Sequence, residues 1–306
     1  MDATTEKTFR SAFIALVGRP NSGKSSILNN ILKENVSIVT PLPQTTRKNM
    51  RGIYTTDAMQ IVFVDTPGIH KGKHALNKAM LTEVKDMLDE GGIDCIGYVV
   101  DCSREFGGEE EAVAELVGKQ SAGKIILFNK IDITKNIKEV ITAFFDKFPT
   151  LKEIPYLKIS ALDQNCGEQV LQKLDPFIHE GPRFYDPEDI TDASLRFFAS
   201  EYLRKYIILN TKEEVPHAAF IEIESYKETP EKHEIIATIH VETNGQKGIV
   251  IGKNGEGIEK IKKGARIEMK KLVGCPVSLT CHVKVSPGWR DNDSFLRLMG
   301  LPLRSK

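Results

Sequence analysis

Gly18-Arg-Pro-Asn-Ser-Gly-Lys-Ser25 sets two glycines, a lysine and a hydroxyl directly after a short apolar run, residues 13–17. That combination suits phosphate. Backbone amides in a glycine loop curl around phosphate oxygens, the next helix adds the positive end of its dipole, and Lys24 reaches the terminal phosphates. Gly18, Asn21, Ser22, Gly23, Lys24, Ser25 and Ser26 are the candidate contacts, with the Ser25 hydroxyl a ligand for Mg2+. Asp65-Thr-Pro-Gly68 ends a second apolar run, 61–64. An acidic group there can hold the hydrated metal, and Gly68 can offer an amide to the terminal phosphate.

Asn129-Lys-Ile-Asp132 follows a third apolar run, 124–128. Asp132 can accept from the N1–H and the exocyclic amine of guanine, two donors that adenine does not present together. Asn129 can tie the loop and meet the base edge, and the stem of Lys130 can cover the ring. A carboxylate left poorly paired by the wrong base is a source of selectivity. Ser160-Ala-Leu162, after 156–159, can present a backbone amide to the guanine carbonyl. Beyond Gly68 stands Ile69, which cannot orient a water; His70 reads more simply as a solvated histidine than as a base.

Such loops need strand ends to sit on. Apolar strand patterns at 13–17, 61–64, 96–100, 124–128 and 156–159 alternate with helical stretches at 74–90, 108–120, 136–147 and 167–178. That alternation implies an α/β domain with a mostly parallel sheet covered on both faces. Residues 51–54 leading into Gln60 suggest an antiparallel edge strand. The pattern breaks at Glu180-Gly-Pro-Arg-Phe-Tyr-Asp-Pro187, where glycine and two prolines argue for a linker. The expected division is 1–180, a linker at 181–193, and a second domain at 194–306 with a short final helix.

The second domain has a different order. A helix at 194–210 precedes strands at 219–226 and 235–242, a glycine-rich turn at 248–257, a basic helix at 257–272 and a half-buried strand at 277–285. The turn contains Ile251-Gly252-Lys253-Asn254-Gly255. A Gly-x-x-Gly turn between helices lets a nucleic-acid backbone approach closely, with Lys253 on phosphate and apolar neighbours Ile249, Val250, Ile251 and Ile258 flooring a groove for unpaired bases. Lys260, Lys263 and Arg266 on the following helix are candidate backbone contacts. Basic residues outnumber acidic ones along this helix.

The four loop elements resemble those of translation-factor-related GTPases. Pro43-Gln-Thr-Thr-Arg47 is similar to the switch loop of the Era family of bacterial ribosome-assembly GTPases. The order of the second domain resembles the type II KH module that follows the GTPase domain in that family, and the likeness runs to Trp289-Arg-Asp291 near the end. The resemblance implies a P-loop GTPase domain followed by a smaller α+β KH domain, with GTP/GDP and Mg2+ as ligands. It implies Thr46, with Thr45 the second candidate, as the threonine that closes over the metal, alongside Ser25 and Asp65. Lys24, Thr46, Gly68 and Asn21 then serve hydrolysis, Asn21 by holding K+ against the phosphates, since an apolar residue replaces the usual glutamine. The implied partners are the 3′ region of small-subunit ribosomal RNA and the assembling 30S subunit, for a monomer acting in rRNA maturation. Peripheral association with the inner membrane is also compatible with it. Lys253-Asn254 stands where the resemblance leads one to expect Lys-Gly.

Composition narrows the alternatives. The 306 residues suit two domains, and 42 Lys+Arg balance 42 Asp+Glu, so a globally basic nucleic-acid binder is excluded. The basic excess lies after Thr191 and the acidic excess before it. Five scattered cysteines without a Cys-x-x-Cys pair argue against a disulfide framework or structural zinc. No apolar run approaches the ~20 residues of a membrane span, and the expectation is a cytoplasmic protein. One competing reading is a GTP-regulated docking protein whose second domain meets protein or membrane. Another, an ATP-dependent kinase, lacks an acceptor site and leaves Asp132 unexplained.

Overall fold

The computed structural model describes residues 8–40, 46–70, 72 and 74–302. Of the expected switch loop, residues 43–45, Thr45 among them, lie outside the described residues, whereas Thr46 and Arg47 lie within. The chain divides into two compact units. The first comprises Met1–Ser37, Thr46–Lys73 and Met80–Asp192; the second comprises Ala193–Lys306 with Ile38–Thr45 and His74–Ala79.

The first unit runs β1 (Arg10–Val17), α1 (Lys24–Leu32), β2 (Met50–Thr55), β3 (Met59–Asp65), α2 (Ala75–Asp89) and β4 (Cys95–Asp101). It continues α3 (Gly108–Lys119), β5 (Gly123–Asn129), α4 (Ile137–Lys147), β6 (Tyr156–Lys158), α5 (Cys166–Leu174) and β7 (His179–Glu180). The sheet order is β2-β3-β1-β4-β5-β6. Strands β3, β1, β4, β5 and β6 are parallel to their neighbours, while β2 lies antiparallel on β3 as expected of an edge. Every residue of β4 is buried, as a strand covered on both faces requires. Because these strands are parallel, the ends at Val17, Asp65, Asp101, Asn129 and Lys158 share one edge of the sheet. That edge positions the site.

Two expectations need correction. The helix read at 167–178 stops at Leu174, and Asp175–Phe177 forms a 3-10 turn. Pro176 carries no amide donor and disfavours helix in the residue before it. The chain then adds β7 antiparallel to the start of β1. The segment read as a linker also behaves otherwise, since residues 181–192 are held along the first unit. The fully buried Gln60 explains much of this. Its Oε1 accepts from the amides of Phe184 (2.8 Å) and Tyr185 (3.0 Å), and its Nε2 donates to Tyr185 O and Thr55 Oγ1 at 3.0 Å each. All of the group's usual hydrogen-bonding capacity is thereby used. Ile53 N donates to Ile190 O (2.9 Å), and Arg51 reaches Asp192 (3.0 Å), so the outer edge of β2 is covered.

The second unit contains α6 (Leu195–Asn210), α7 (Val215–Ala218), β8 (Phe220–Glu228), β9 (His233–Val241), α8 (Asn244–Ile251), α9 (Glu256–Val273), β10 (Val277–Val285) and α10 (Asp293–Leu298). Its sheet order is β10-β9-β8, with β8 antiparallel and β10 parallel to β9. Phe198, Leu203, Ile207, Ile239, Ile261 and Met269 form the core between helices and sheet. Helix α8 corrects the expected turn: residues 248–251 are its last turn. Its start is set by a capping box, Thr243 accepting from Gln246 N while the Gln246 side chain accepts from Thr243 N. Trp289 is fully buried, with its indole N–H donating to Ala218 O (2.8 Å). No described helix is long and apolar enough to cross a membrane.

Candidate functional site

The phosphate loop joins β1 to α1 and is held from outside by side chains that cap its carbonyls. Lys24 Nζ donates to Gly18 O (3.2 Å) and Arg19 O (3.0 Å), and Asn129 Nδ2 donates to Ser22 O (2.8 Å). Gly23 caps α1 at φ 104°, a conformation that L side chains rarely adopt, and a Cβ there would meet Asn129 Nδ2 at 2.1 Å. Arg19, overlooked in the sequence, is buried: its Nε lies 2.5 Å from Glu110 Oε2, and Tyr98 OH donates to the other Glu110 oxygen (2.5 Å). Asn21 takes a left-handed φ of 60°. Ser22 is fully buried with no partner for its hydroxyl, whereas Ser25 and Ser26 occupy the first turn of α1, half-buried. Burial of the Lys24 ammonium lowers its pKa to about 8, even with Asp65 and Glu110 nearby.

Asp65 is fully buried at the end of β3. Its Oδ2 accepts from Ser25 Oγ (2.6 Å) and Ser37 Oγ (2.7 Å), with Thr46 Oγ1 at 3.5 Å; Thr46 also lies 3.2 Å from Ser25 Oγ. Its Oδ1 is buried without a hydrogen-bond partner. Burial drives this carboxyl's pKa upward despite Lys24 and the hydroxyls. An orphaned carboxylate oxygen among three hydroxyls is a hard-oxygen donor set, which fits Mg2+. Ser37 belongs to no motif, so the sequence reading missed it. Asn29 fixes it, donating to Ser37 O (2.7 Å) and accepting from Ser37 N (2.9 Å). Past Gly68, the amide of Ile69 donates to Gly18 O (3.1 Å), tying this turn to the phosphate loop. The Ile69 side chain is in the core, and His70 Nδ1 lies 3.1 Å from Gly68 O.

At the end of β5, Asn129 is buried, and its Oδ1 accepts from Ala161 N (2.9 Å), joining the two base-side loops. Lys130 takes a left-handed φ of 67° and directs Nζ to Asp101 Oδ2 (2.7 Å). Asp132 is exposed on the turn beyond. Leu162 N donates to Ser160 Oγ (3.3 Å), and the Leu162 side chain is exposed. Asn30 on α1 supports this loop, donating to Asp163 O (2.7 Å) and accepting from Gly167 N (2.9 Å). The fold therefore gathers Gly18 to Ser26, Thr46, Asp65, Gly68, Asn129 to Asp132 and Ser160 to Leu162 at one sheet edge.

In the second unit, Ile251 ends α8, and Gly252-Lys253-Asn254-Gly255 turns the chain into α9. Gly252 has φ 72°, and a Cβ there would lie 2.7 Å from Gly257 N, so the two helices close only over a glycine. Asn254 adopts φ 52°, a conformation that asparagine tolerates better than most residues, which accounts for its standing where Gly was expected. Lys253 and Asn254 are exposed, as are Lys260, Lys263 and Arg266. Helical spacing sets those last three on one side of α9. Ile249 is exposed and Ile251 and Ile258 are half-buried, but Val250 is fully buried in the core and cannot floor a groove.

A phosphate loop and base-side loops on a mostly parallel sheet, followed by a unit with a Gly-x-x-Gly turn between helices, define a P-loop GTPase that carries a KH domain. The comparisons agree: residues 13–130 match the family described as 50S ribosome-binding GTPase, and residues 214–290 match the KH domain. GTPase Era of Thermoanaerobacter sp. (strain X514) is 38% identical over 301 residues, spanning 97% of this chain and 98% of that protein. GTPase Era of Geobacter metallireducens is 34% identical over 300 residues, 97% and 99% of the two chains. Era solved in complex with MgGDPNP and nucleotides 1506–1542 of 16S ribosomal RNA aligns with a TM-score of 0.89 at 32% identity, covering 95% of this chain and 99% of that one. An Aquifex aeolicus Era variant bound to GDP.AlF4- aligns at 0.88, also at 32% identity, with coverage of 95% and 99%. The chain belongs to the GTPase Era family, and its activity is hydrolysis of GTP to GDP and phosphate.

Proposed function

We propose that this GTPase is a switch that binds the 3′ region of small-subunit ribosomal RNA and acts in small-subunit assembly and rRNA maturation. The observation that carries the RNA half is the turn from Gly252 to Gly255, with Lys253 exposed at its tip and Lys260, Lys263 and Arg266 beside it. A relative solved with a 16S ribosomal RNA fragment supports the same reading. In this reading Ile251, Gly252, Lys253, Asn254 and Gly255 contact RNA, and the basic side chains of α9 meet its backbone. The partners are that RNA and the assembling 30S subunit. The chain acts as a cytoplasmic monomer, and the resemblance extends this to peripheral contact with the inner membrane.

A single-stranded oligonucleotide of the 16S 3′ end should bind the full chain with an affinity that falls as salt rises. Each neutralised phosphate of a single strand contributes about −0.7 to the log–log slope. Lys253→Glu should weaken binding and make that slope shallower by about 1. Binding indifferent to both salt and Lys253 would favour a docking module for protein or membrane instead.

In the nucleotide site, Gly18, Asn21, Ser22, Gly23, Lys24, Ser25 and Ser26 hold the phosphates. Asn129, Lys130, Asp132 and Ser160 to Leu162 hold the base. Ser25, Asp65 and Thr46 hold Mg2+, which when bound neutralises charge on the phosphate oxygens. Lys24 and the Gly68 amide act on the terminal phosphate. Neither Ile69, which is in the core, nor a glutamine places the attacking water. Transition-state charge then calls for another cation, and Asn21 is the residue assigned to K+. Turnover should be several-fold faster in K+ than in Na+ at equal ionic strength, with Asn21→Ala erasing the difference. Equal rates in the two salts would remove K+ from this reading.

A further inference from the structure

Asp101 ends β4, between the phosphate loop and the base-side loop, and belongs to none of the nucleotide motifs. It is fully buried, yet its carboxylate has charged and polar partners at both oxygens. Oδ1 accepts from Ser103 N (3.0 Å) and Ser103 Oγ (2.6 Å). Oδ2 accepts from Arg104 Nε (2.7 Å) and Lys130 Nζ (2.7 Å). Burial pushes its pKa upward, but the bonds from Lys130 and Ser103 outweigh that and hold it below the usual carboxylate range, so it is a fixed negative charge.

The two cations on Oδ2 lead to different loops. Lys130 is the second residue of Asn129-Lys-Ile-Asp132, and its left-handed backbone turns that loop away from the sheet. Arg104 bridges in the other direction: while Nε stays on Asp101, Nη2 donates to Pro20 O (2.8 Å). That carbonyl belongs to the peptide joining Pro20 to Asn21, immediately before the residue with φ 60°. Arg104 thus adds a further side-chain cap to the phosphate-loop carbonyls held by Lys24 and Asn129. It is also the one in this set whose geometry depends on a carboxylate shared with the base-side lysine. A planar guanidinium donating along two edges fixes direction as well as distance.

We propose that Asp101 and Arg104 form one positioning unit that ties the base-side loop to the Pro20–Asn21 peptide, so that seating the guanine sets the phosphate-loop geometry used in hydrolysis. Lys130 covers the base and is held by Asp101; Arg104, on the same oxygen, orients the peptide that presents Asn21. Neither Asp101 nor Arg104 touches the reacting atoms, and both act through the loops they hold. The proposal rests on the assignment of Lys130 to the base and of Asn21 to the phosphate side.

The full chain is assayed for equilibrium GDP affinity and single-turnover GTP hydrolysis. Arg104 is partly exposed, so Arg104→Ala should fold. It should slow hydrolysis by about tenfold with GDP affinity within about twofold, because it frees the Pro20 carbonyl but leaves Lys130 on Asp101. Asp101→Asn should slow hydrolysis and also weaken GDP binding, since both arms lose their charged partner. The double variant should hydrolyse no more slowly than Asp101→Asn alone, the signature of residues acting as a unit. Arg104→Lys, which keeps the charge but not the fork, should recover only part of the rate. Hydrolysis by Arg104→Ala within about twofold of the parent, equal losses in affinity and rate, or multiplicative penalties in the double variant would each overturn the proposal. Asp132→Asn in the same assays reports on base recognition separately: unchanged guanine preference there would defeat the base assignment, whatever Arg104 shows.

Discussion

Lys24→Ala should lower single-turnover GTP hydrolysis by about 10²–10³-fold, the scale seen when one preorganised charge-stabilising donor is removed. The reason lies in the environment of the ammonium. It is buried, spans two loop carbonyls and stands near a buried carboxylate, so its charge acts in a site from which water is largely excluded. The same burial gives it a pH signature. Its folded-state pKa of about 8 lies below its ordinary 10.5, so the folded chain releases this proton first as pH rises. Between those values the unfolded chain binds more protons, and the contribution of this group to stability therefore rises with pH in nucleotide-free protein. Below pH 8 the cost of the buried ammonium is fully present. Denaturant titrations of parent and Lys24→Met across that window should differ in slope, with the rise absent in the variant. Nucleotide affinity should move oppositely, falling above pH 8 as the ammonium that meets phosphate is lost. An affinity flat from pH 7 to 10 would show that the charge of Lys24 contributes little to binding.

Asp132→Asn should abolish the preference for guanine and transfer it to xanthine. A carboxylate offers acceptors only, matching the two donors on that edge of guanine, whereas an amide offers one acceptor and one donor. Xanthine presents N1–H beside a 2-oxo group and so meets the amide with both bonds made. Sites that hydrogen-bond a polar edge can reject a mismatched ligand by about 10⁴–10⁵. An exposed Asp132 falls short of that limit, and a loss of about 10²–10³ in GDP affinity is the expected size. Its neighbours should keep their places, because Asn129 is held by Ser22 and Ala161, and Lys130 by Asp101. Competition binding with GDP, XDP and ADP decides the matter, and retained guanine preference in the variant would show that selectivity resides elsewhere in the loop.

Much of this was legible in the residues because the chemistry concerned is local. A glycine loop ending in Lys24-Ser25, an acid at a strand end and an Asn-Lys-x-Asp turn each need only a few consecutive residues at the end of a strand, and the apolar runs marked those strands. The Gly252–Gly255 turn and its basic helix were equally local. Elements whose limits depend on distant partners were less legible. Residues 181–192 have the glycine and prolines of a linker, yet lie along the first unit because Gln60, distant in sequence, must satisfy a buried amide. Val250 reads as one more apolar residue beside a turn, and only packing assigns it to the core and leaves Ile249 outside. Ser37 enters the metal-side cluster through Asn29, and Asp101 reaches both loops of the nucleotide site, although neither belongs to a motif. By itself the sequence determined the two kinds of domain, the chemistry of their loops and the order of most elements, since short-range pattern encodes strand, helix and turn. Tertiary structure alone decided which buried polar groups answer one another, because a charge or amide removed from water takes whatever partner the fold brings within hydrogen-bond reach, at any separation along the chain.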